Sequence, residues 1–213
     1  MFLLLTGASG AGKSTTRRLI AAELAPDTEC VELGHVVDFP PVPTIAWRQQ
    51  AAEAVVQRAL ALQAEGRHLL LAGDPVAAGE VVAAPSAHEL EAVAACLLHV
   101  NADVQASRLA QRGDDPRMFA DHIAFAEWMR GHARDPGHMA HVLSTGGWDA
   151  MRWERLESLA ATDGGWAVQV IDTSERSSEQ VAQEVLAWCR AAVSGQVPVM
   201  RLSSATLSLE QRG

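Results

Sequence analysis

The stretch Gly7-Ala8-Ser9-Gly10-Ala11-Gly12-Lys13-Ser14 constrains the fold more than any other part of the chain. It matches the pattern G-x-x-x-x-G-K-[ST] at every fixed position, a spacing in which glycines let backbone N–H groups converge on an anion. An apolar run, Phe2-Leu3-Leu4-Leu5-Thr6, enters it and suits a buried parallel strand. A helical segment from Ser14 to Ala25 leaves it and stops at Pro26-Asp27. Strand, turn and helix in this order aim the helix N-terminus, with its unpaired N–H groups and positive dipole end, at whatever the loop holds. Gly7, Ala8, Ser9, Gly10, Ala11, Gly12, Lys13, Ser14 and Thr15 are therefore the expected phosphate-binding residues. Lys13 is the only lysine, and the other sixteen cations are arginines. An ammonium is a compact charge that can lie along the loop, whereas a guanidinium is planar and wide. Lys13 is expected to be exposed when the loop is empty, and Ser14 to place its hydroxyl on Mg²⁺.

With 213 residues the chain has room for one α/β domain with a sizeable core. Its net charge of −9 disfavours a broad grip on nucleic acid or an anionic membrane. No apolar run approaches the length of a membrane span. No leader precedes the first strand. Cys30, Cys96 and Cys189 are far apart and odd in number, which gives no disulfide framework. A cytoplasmic location is expected.

Strands and helices alternate in the manner of a parallel sheet with crossovers. Further strands are expected at Cys30–Gly34, His68–Ala72, Cys96–Val100 and Trp166–Ile171. A helix is expected over Thr44–Glu65, after the stiff Pro40-Pro41-Val42-Pro43. Ser86 and Glu89 suggest a capping box for a helix over Ala87–Ala95, and Ser177 and Gln180 a second one. The second opens a helix with an apolar stripe at Val181, Val185, Trp188 and Ala192. A helix through Arg108–Arg112 stops at Gly113, and another follows Asp115-Pro116. The boundaries are a domain over residues 1–195, an irregular insertion at about 103–161, and an unplaced tail over 196–213.

The loop, its flanking elements and the order of five short strands resemble the nucleoside/nucleotide kinase branch of the P-loop superfamily. That branch includes gluconate kinase, shikimate kinase and chloramphenicol phosphotransferase. The resemblance implies a three-layer α/β/α fold with a five-stranded parallel sheet in the order 2-3-1-4-5. It implies ATP and Mg²⁺ as the donor pair, Lys13 as a catalytic charge and residues 103–161 as a mobile lid. Arg108 and Arg112, four apart on one helical face, resemble the lid arginines that clamp ATP phosphates. Two solvated arginines are the alternative. Asp38, after the second strand, resembles the carboxylate that takes the acceptor's proton, and the prolines beside it fit an ordinary turn equally. Asp74 ends an apolar strand, as does the acid that holds Mg²⁺; Asp-Pro is also a common turn initiator.

No lysine or arginine occurs between His68 and Ser107. An acceptor bearing a phosphate would need such charges, and only Arg48 and Arg58 are placed to help. A nucleoside, sugar or antibiotic-like hydroxyl compound, neutral or basic, fits better. His35, Trp47 and Arg48 are candidate acceptor contacts, each with a structural alternative. Six tryptophans accompany no tyrosine, and either a substrate wall or packing accounts for them. His132, His138 and His141 lack a matching cysteine or carboxylate constellation and read as solvated or capping residues. Two functions follow: an ATP-dependent phosphotransferase acting on a small-molecule hydroxyl, or a nucleotide-binding ATPase or switch without an acceptor. Partners would be a nucleotide and a small acceptor, with neither nucleic acid nor membrane.

Overall fold

A computed structural model describes residues 1–202; the part of the tail over residues 203–213 lies outside the described residues. Five strands, β1 (Phe2–Thr6), β2 (Thr28–Val31), β3 (His68–Ala72), β4 (Val93–His99) and β5 (Val168–Asp172), form one sheet. Their order is β2-β3-β1-β4-β5, and every neighbouring pair is parallel. The helices are α1 (Lys13–Leu24), α2 (Ile45–Ala64), α3 (Ala78–Ala83), α4 (Ala102–Arg112), α5 (Phe119–Arg134), α6 (His141–Ser144), α7 (Glu154–Ala160) and α8 (Ser178–Val193). None of the described helices is long and apolar enough to cross a membrane.

The alternation along β1 builds the three layers. Leu3 and Leu5 face a cluster with Ile20 of α1 and Val185 and Trp188 of α8. Phe2 and Leu4 face the opposite cluster, with Val55 and Val56 of α2, Val81 of α3 and Leu156 of α7. Each strand buried on both faces reads as continuous apolar sequence, as Leu69-Leu70-Leu71 does. A third cluster joins Ala126, Trp128 and Met129 of α5 to Leu97 of β4 and to Ala8 in the glycine-rich loop. Ser177 and Gln180 form the expected reciprocal cap of α8.

Three local expectations are corrected. The second strand ends at Val31, and Leu33–His35 is a short 3-10 turn. No helix covers Ala87–Ala95. Pro85–Glu89 is a 3-10 turn in which Ser86 serves Glu53 and Gln57 of α2, and β4 already starts at Val93. The apolar run Val93–Leu98 sits between two strands, which outweighs the capping pattern upstream of it. The unplaced segment after Gly195 brings Met200 into an antiparallel bridge with Val93. That position is free because β5 begins opposite Ala95.

Much of the insertion is bound into the cores. Met151, Leu156 and Leu159 are buried with α2 and α3, and Leu143 with α5. Gln49, fully buried on α2, donates to the Leu143 carbonyl (2.8 Å) and accepts from the Trp148 N–H (2.6 Å). The turn over residues 113–118, by contrast, is held by the local pairs Arg112–Asp114 and Arg117–Asp115.

His132 of α5 is 3% exposed, stacked on Trp128 (5.0 Å between centroids) and edge-on to Trp166 (5.2 Å). Its Nε2 accepts from the Gly79 N–H at 3.1 Å, which requires the neutral ring. Burial, with the nearby His138 adding to it, pulls its pKa down to about 4 from 6.5. The folded state thus binds the proton more weakly than the unfolded chain. Stability is full above the unfolded value of 6.5 and is lost as pH falls from 6.5 to about 4. Denaturant unfolding of the wild type should lose about 3 kcal/mol more over that window than His132→Gln, which can keep an acceptor for Gly79. Parallel acid limbs in the two proteins would refute this.

Candidate nucleotide site

Gly7 sets the loop's course. A Cβ there would lie 2.5 Å from the Leu98 carbonyl oxygen of β4, so only glycine passes. Gly7, Gly10 and Gly12 all have positive φ (148°, 82° and 102°), conformations that turn successive N–H groups to one side. Ala11 donates back to the Ala8 carbonyl (3.3 Å), and α1 begins at Lys13. The concavity is a cavity of about 580 Å³. Ser9, Gly10, Ala11, Gly12, Lys13, Ser14 and Thr15 line it, with Arg108 and Arg112 of α4 on one wall. Gly7 and Ala8 lie behind this lining.

Lys13 is buried, 5% exposed, contrary to the expectation of an exposed ammonium. Its Nζ folds back and donates to the Ala8 carbonyl at 2.9 Å. Burial pulls its pKa down to about 8; Asp74 and Glu32 oppose the shift, and Arg112 adds to it. Asp74 is half-buried, its carboxyl pushed up by burial while the Leu33 N–H, donating at 2.6 Å, pulls it back down. Its neighbours Gly73 and Pro75 line the cavity. Glu32 lies directly over Gly73, where a Cβ would be 2.5 Å from the Glu32 Cγ. Arg17 of α1 pins the Glu32 carboxylate at 3.0 Å.

Glu32 is the residue that sequence reasoning passed over. Reading the second strand two residues late put Glu32 inside it and made Asp38 the first acid beyond. The missed signal is an acid one residue past Val31, at the C-terminal end of a strand, where α/β sheets gather their sites. Asp38 itself is exposed, and none of Glu32, Asp38 and Asp74 is in the cavity's lining, although Glu32 and Asp74 adjoin Gly73, which is.

The two arginines differ. Arg108 donates to the Gly10 carbonyl (3.2 Å), the Thr173 hydroxyl (2.9 Å) and the Thr173 carbonyl (2.7 Å), bolting the loop to the end of β5. Arg112 is ion-paired with Asp114, an exposed contact that a phosphate can displace. Gln105 is a second bolt, donating to the carbonyls of Ser9 (2.9 Å) and His122 (3.2 Å). Neither Thr173 nor Gln105 carries a sequence signature; only the tertiary neighbourhood marks them.

The three acceptor candidates lie outside the cavity lining. The Nδ1 of His35 accepts from the Glu32 N–H at 3.2 Å. Trp47 packs on Phe39 at 4.7 Å between centroids. Arg48 is paired with the fully buried Glu80 at 2.8 Å. Burial pushes the Glu80 carboxyl up and Arg48 pulls it down.

Ser14, in the cavity's lining, offers Mg²⁺ a hard oxygen donor, and Asp74 and Glu32 are carboxylates beside the cavity but outside its lining. The described residues contain no cluster of three or more His, Cys, Asp and Glu. Mg²⁺ needs none, since it keeps waters and takes one or two protein ligands beside phosphate oxygens. The donor set fits the ion.

No family model matches the chain, and no curated protein sequence does. Among solved structures it is similar to an unliganded sugar kinase from Janibacter sp., with a TM-score of 0.53 and 16% identity. That match covers 89% of this chain and 94% of the other. It is also similar to a chain in the Pnkp1/Rnl/Hen1 RNA repair complex, with a TM-score of 0.46 and 13% identity. There the match covers 61% of this chain and 45% of that chain, less than half its length. The likeness is one of fold.

Lys13→Met should separate function from stability. It removes a buried charge and keeps the aliphatic stem, so the melting temperature at neutral pH should be unchanged or higher. Nucleotide-dependent turnover should fall on the order of 10²-fold or more if the ammonium acts on charge developing in transfer. A folded Lys13→Met with wild-type turnover would overturn the role given to Lys13.

Proposed function

We propose that the protein is an ATP- and Mg²⁺-dependent phosphotransferase acting on the hydroxyl of a small neutral or basic molecule. The observation that carries this reading is the convergence on Lys13. Its ammonium lies under an anion-binding loop whose cavity has Arg108 and Arg112 of α4 on one wall, with Glu32 and Asp74 just past the ends of β2 and β3 on the flank. Phosphoryl transfer asks a protein for positioned charge and a proton acceptor, and little else.

In the proposed reaction the loop N–H groups and the start of α1 hold the phosphates. Lys13 swings from the Ala8 carbonyl to the phosphate oxygens, and Arg112 leaves Asp114 for the transferring group. Ser14 and Asp74 would hold Mg²⁺, which would supply charge neutralisation on those oxygens. The acceptor oxygen attacks the γ-phosphorus, a new O–P bond forms, and the bond to the β-γ bridging oxygen breaks. ADP leaves, and the acceptor's proton passes to a carboxylate. Glu32, lying over Gly73 at the cavity's edge, is better placed for that proton than Asp38. Closure belongs to residues 113–118 rather than the whole insertion, because the remainder would have to leave the cores to move.

The acceptor class follows from cations already in use. Arg48 neutralises buried Glu80, and Arg58 forms two bonds to Glu29 (3.0 and 2.6 Å). An acceptor phosphate beside Glu32 and Asp74 would meet like charge with no partner. What lies near is apolar: Phe39 is 52% exposed and Val42 77% exposed, in the proline-stiffened loop after Glu32.

Product detection across a panel of nucleosides, sugars and hydroxylated antibiotics should find a phosphorylated neutral compound. Its phosphorylated or carboxylated analogues should show kcat/KM lower by about tenfold or more. ATP hydrolysis indifferent to every acceptor would favour the ATPase or switch instead. With the acceptor in hand, Glu32→Gln should lower kcat by about 10²-fold or more with nucleotide affinity nearly unchanged. Asp38→Asn should be close to wild type, and Asp74→Asn should raise the Mg²⁺ concentration for half-maximal rate. A damaged Asp38→Asn beside an active Glu32→Gln would return the base to Asp38.

A further inference from the structure

Glu32 is held at three points, each by a different segment. Its N–H donates to the His35 Nδ1 at 3.2 Å, which fixes the backbone one residue past β2. Its Cγ lies over Gly73, where a Cβ would be 2.5 Å away. Gly73 also has a φ of +130°, so the residue beneath Glu32 is kept to glycine on two counts. Its carboxylate meets Arg17 of α1, whose Nε and Nη2 donate to Oε1 at 3.1 and 3.0 Å.

Arg17 stands four residues after Lys13, one turn along the same face of α1. One helix thus carries both the loop ammonium and the guanidinium on Glu32. Arg18, its neighbour in sequence, is exposed and donates instead to the Ser14 carbonyl at 3.2 Å. The Arg17 and Glu32 side chains are only 15% and 29% exposed, so water screens this pair less than it screens a surface ion pair. Arg17 is outside the cavity's lining. Both of its donors land on Oε1, and neither is spent on Oε2. A glutamate side chain is long and rotamer-rich, and a misplacement of about 1 Å in a reacting group can cost on the order of 10²-fold in rate.

We propose that Arg17 is a positioning residue for proton transfer, holding the Glu32 carboxylate by Oε1 at the cavity's edge so that Oε2 takes the proton of the acceptor hydroxyl. The proposal rests on the phosphotransferase reading, with Glu32 as its base. In that step the acceptor O–H bond breaks and its proton goes to Oε2. The acceptor oxygen bonds to the γ-phosphorus, and the bond from that phosphorus to the bridging oxygen breaks, its electron pair leaving on ADP. Arg17 touches neither reactant and keeps its bonds to Oε1 throughout.

The test is a kinetic cycle on the full chain with ATP and Mg²⁺. The acceptor is the nucleoside, sugar or hydroxylated antibiotic that the wild type phosphorylates fastest. Arg17→Met keeps the aliphatic stem and removes the guanidinium. It should lower kcat by about tenfold or more, with the acceptor KM and the affinity for a non-hydrolysable ATP analogue within about twofold of wild type. Arg17→Lys, whose ammonium can still meet a carboxylate, should recover part of that loss. In a Glu32→Gln background Arg17→Met should cost nothing further, because the group it positions is already gone. The same loss appearing again in that background would show that Arg17 acts apart from Glu32 and would overturn the proposal. Equal damage to kcat, KM and nucleotide affinity, the mark of a disturbed α1, would do so too. If Arg17→Met does not fold, Arg17→Lys carries the same cycle, with a smaller loss that must also vanish beside Glu32→Gln. A wild type that phosphorylates nothing in the panel would remove the phosphotransferase reading and this proposal together. An active wild type beside an undiminished, folded Arg17→Met would remove this proposal alone.

Discussion

The approach of residue 7 to the Leu98 carbonyl sets the rest of the site. The backbone leaving β1 passes so close to β4 that no side chain fits, and the loop can curl only over the sheet's C-terminal edge. β1 lies at the centre of the sheet, with β3 and then β2 on one side and β4 and then β5 on the other. Glu32 and Asp74, just past the ends of β2 and β3, therefore stand on one flank of the loop. The bolts from Arg108, Gln105 and Thr173 reach it from the other. A strand order with β1 at an edge would supply one set without the other.

Burial gives these charges their character. An ammonium in contact with bulk water would be unremarkable in its pKa. Lys13, packed beneath its own loop, is pulled down to about 8. Asp74 is pushed the other way by the same desolvation. Each is a poorly solvated charge beside an opposite one, and an incoming polyphosphate with its metal would complete both. The Ala8 carbonyl holds the ammonium until then, which spares it an unpaired state. Arg112 is held in the same manner by Asp114, at the surface.

The contrast between the two flanks explains which residues were legible. Gly7 to Ser14, the strands at Phe2–Thr6 and His68–Ala72 and the long helix ending before Gly66 all carry local signals: a spacing pattern, an uninterrupted apolar run, a glycine stop. Glu32 carried none once Cys30–Gly34 was taken as a strand, because alternation of polar and apolar residues continues past Val31 into the 3-10 turn. The Ser86–Glu89 pattern misled for the opposite reason. Its side chains have the capping chemistry, but Glu53 and Gln57 of α2 engage Ser86, and pairing with β1 on one side and β5 on the other claims the residues from Val93 onward.

By itself the sequence determined the sheet, the loop and the central cation, because each rests on short-range rules: β-periodicity, glycine stereochemistry and the fit of a compact ammonium to a phosphate nest. Only the tertiary structure decided that Lys13 is buried, that Glu32 and Asp74 flank its loop, that Arg108 bonds the loop while Arg112 pairs with Asp114, and that Arg48 and Arg58 are already in use. It also decided which residues of the insertion, such as Leu143, Met151, Leu156 and Leu159, are buried in the cores. These are statements about which charges share a desolvated volume and which side chains fill it. Such a volume is enclosed by segments far apart in sequence, as when Gln49 of α2 closes on Leu143 and Trp148, and no local pattern encodes its contents.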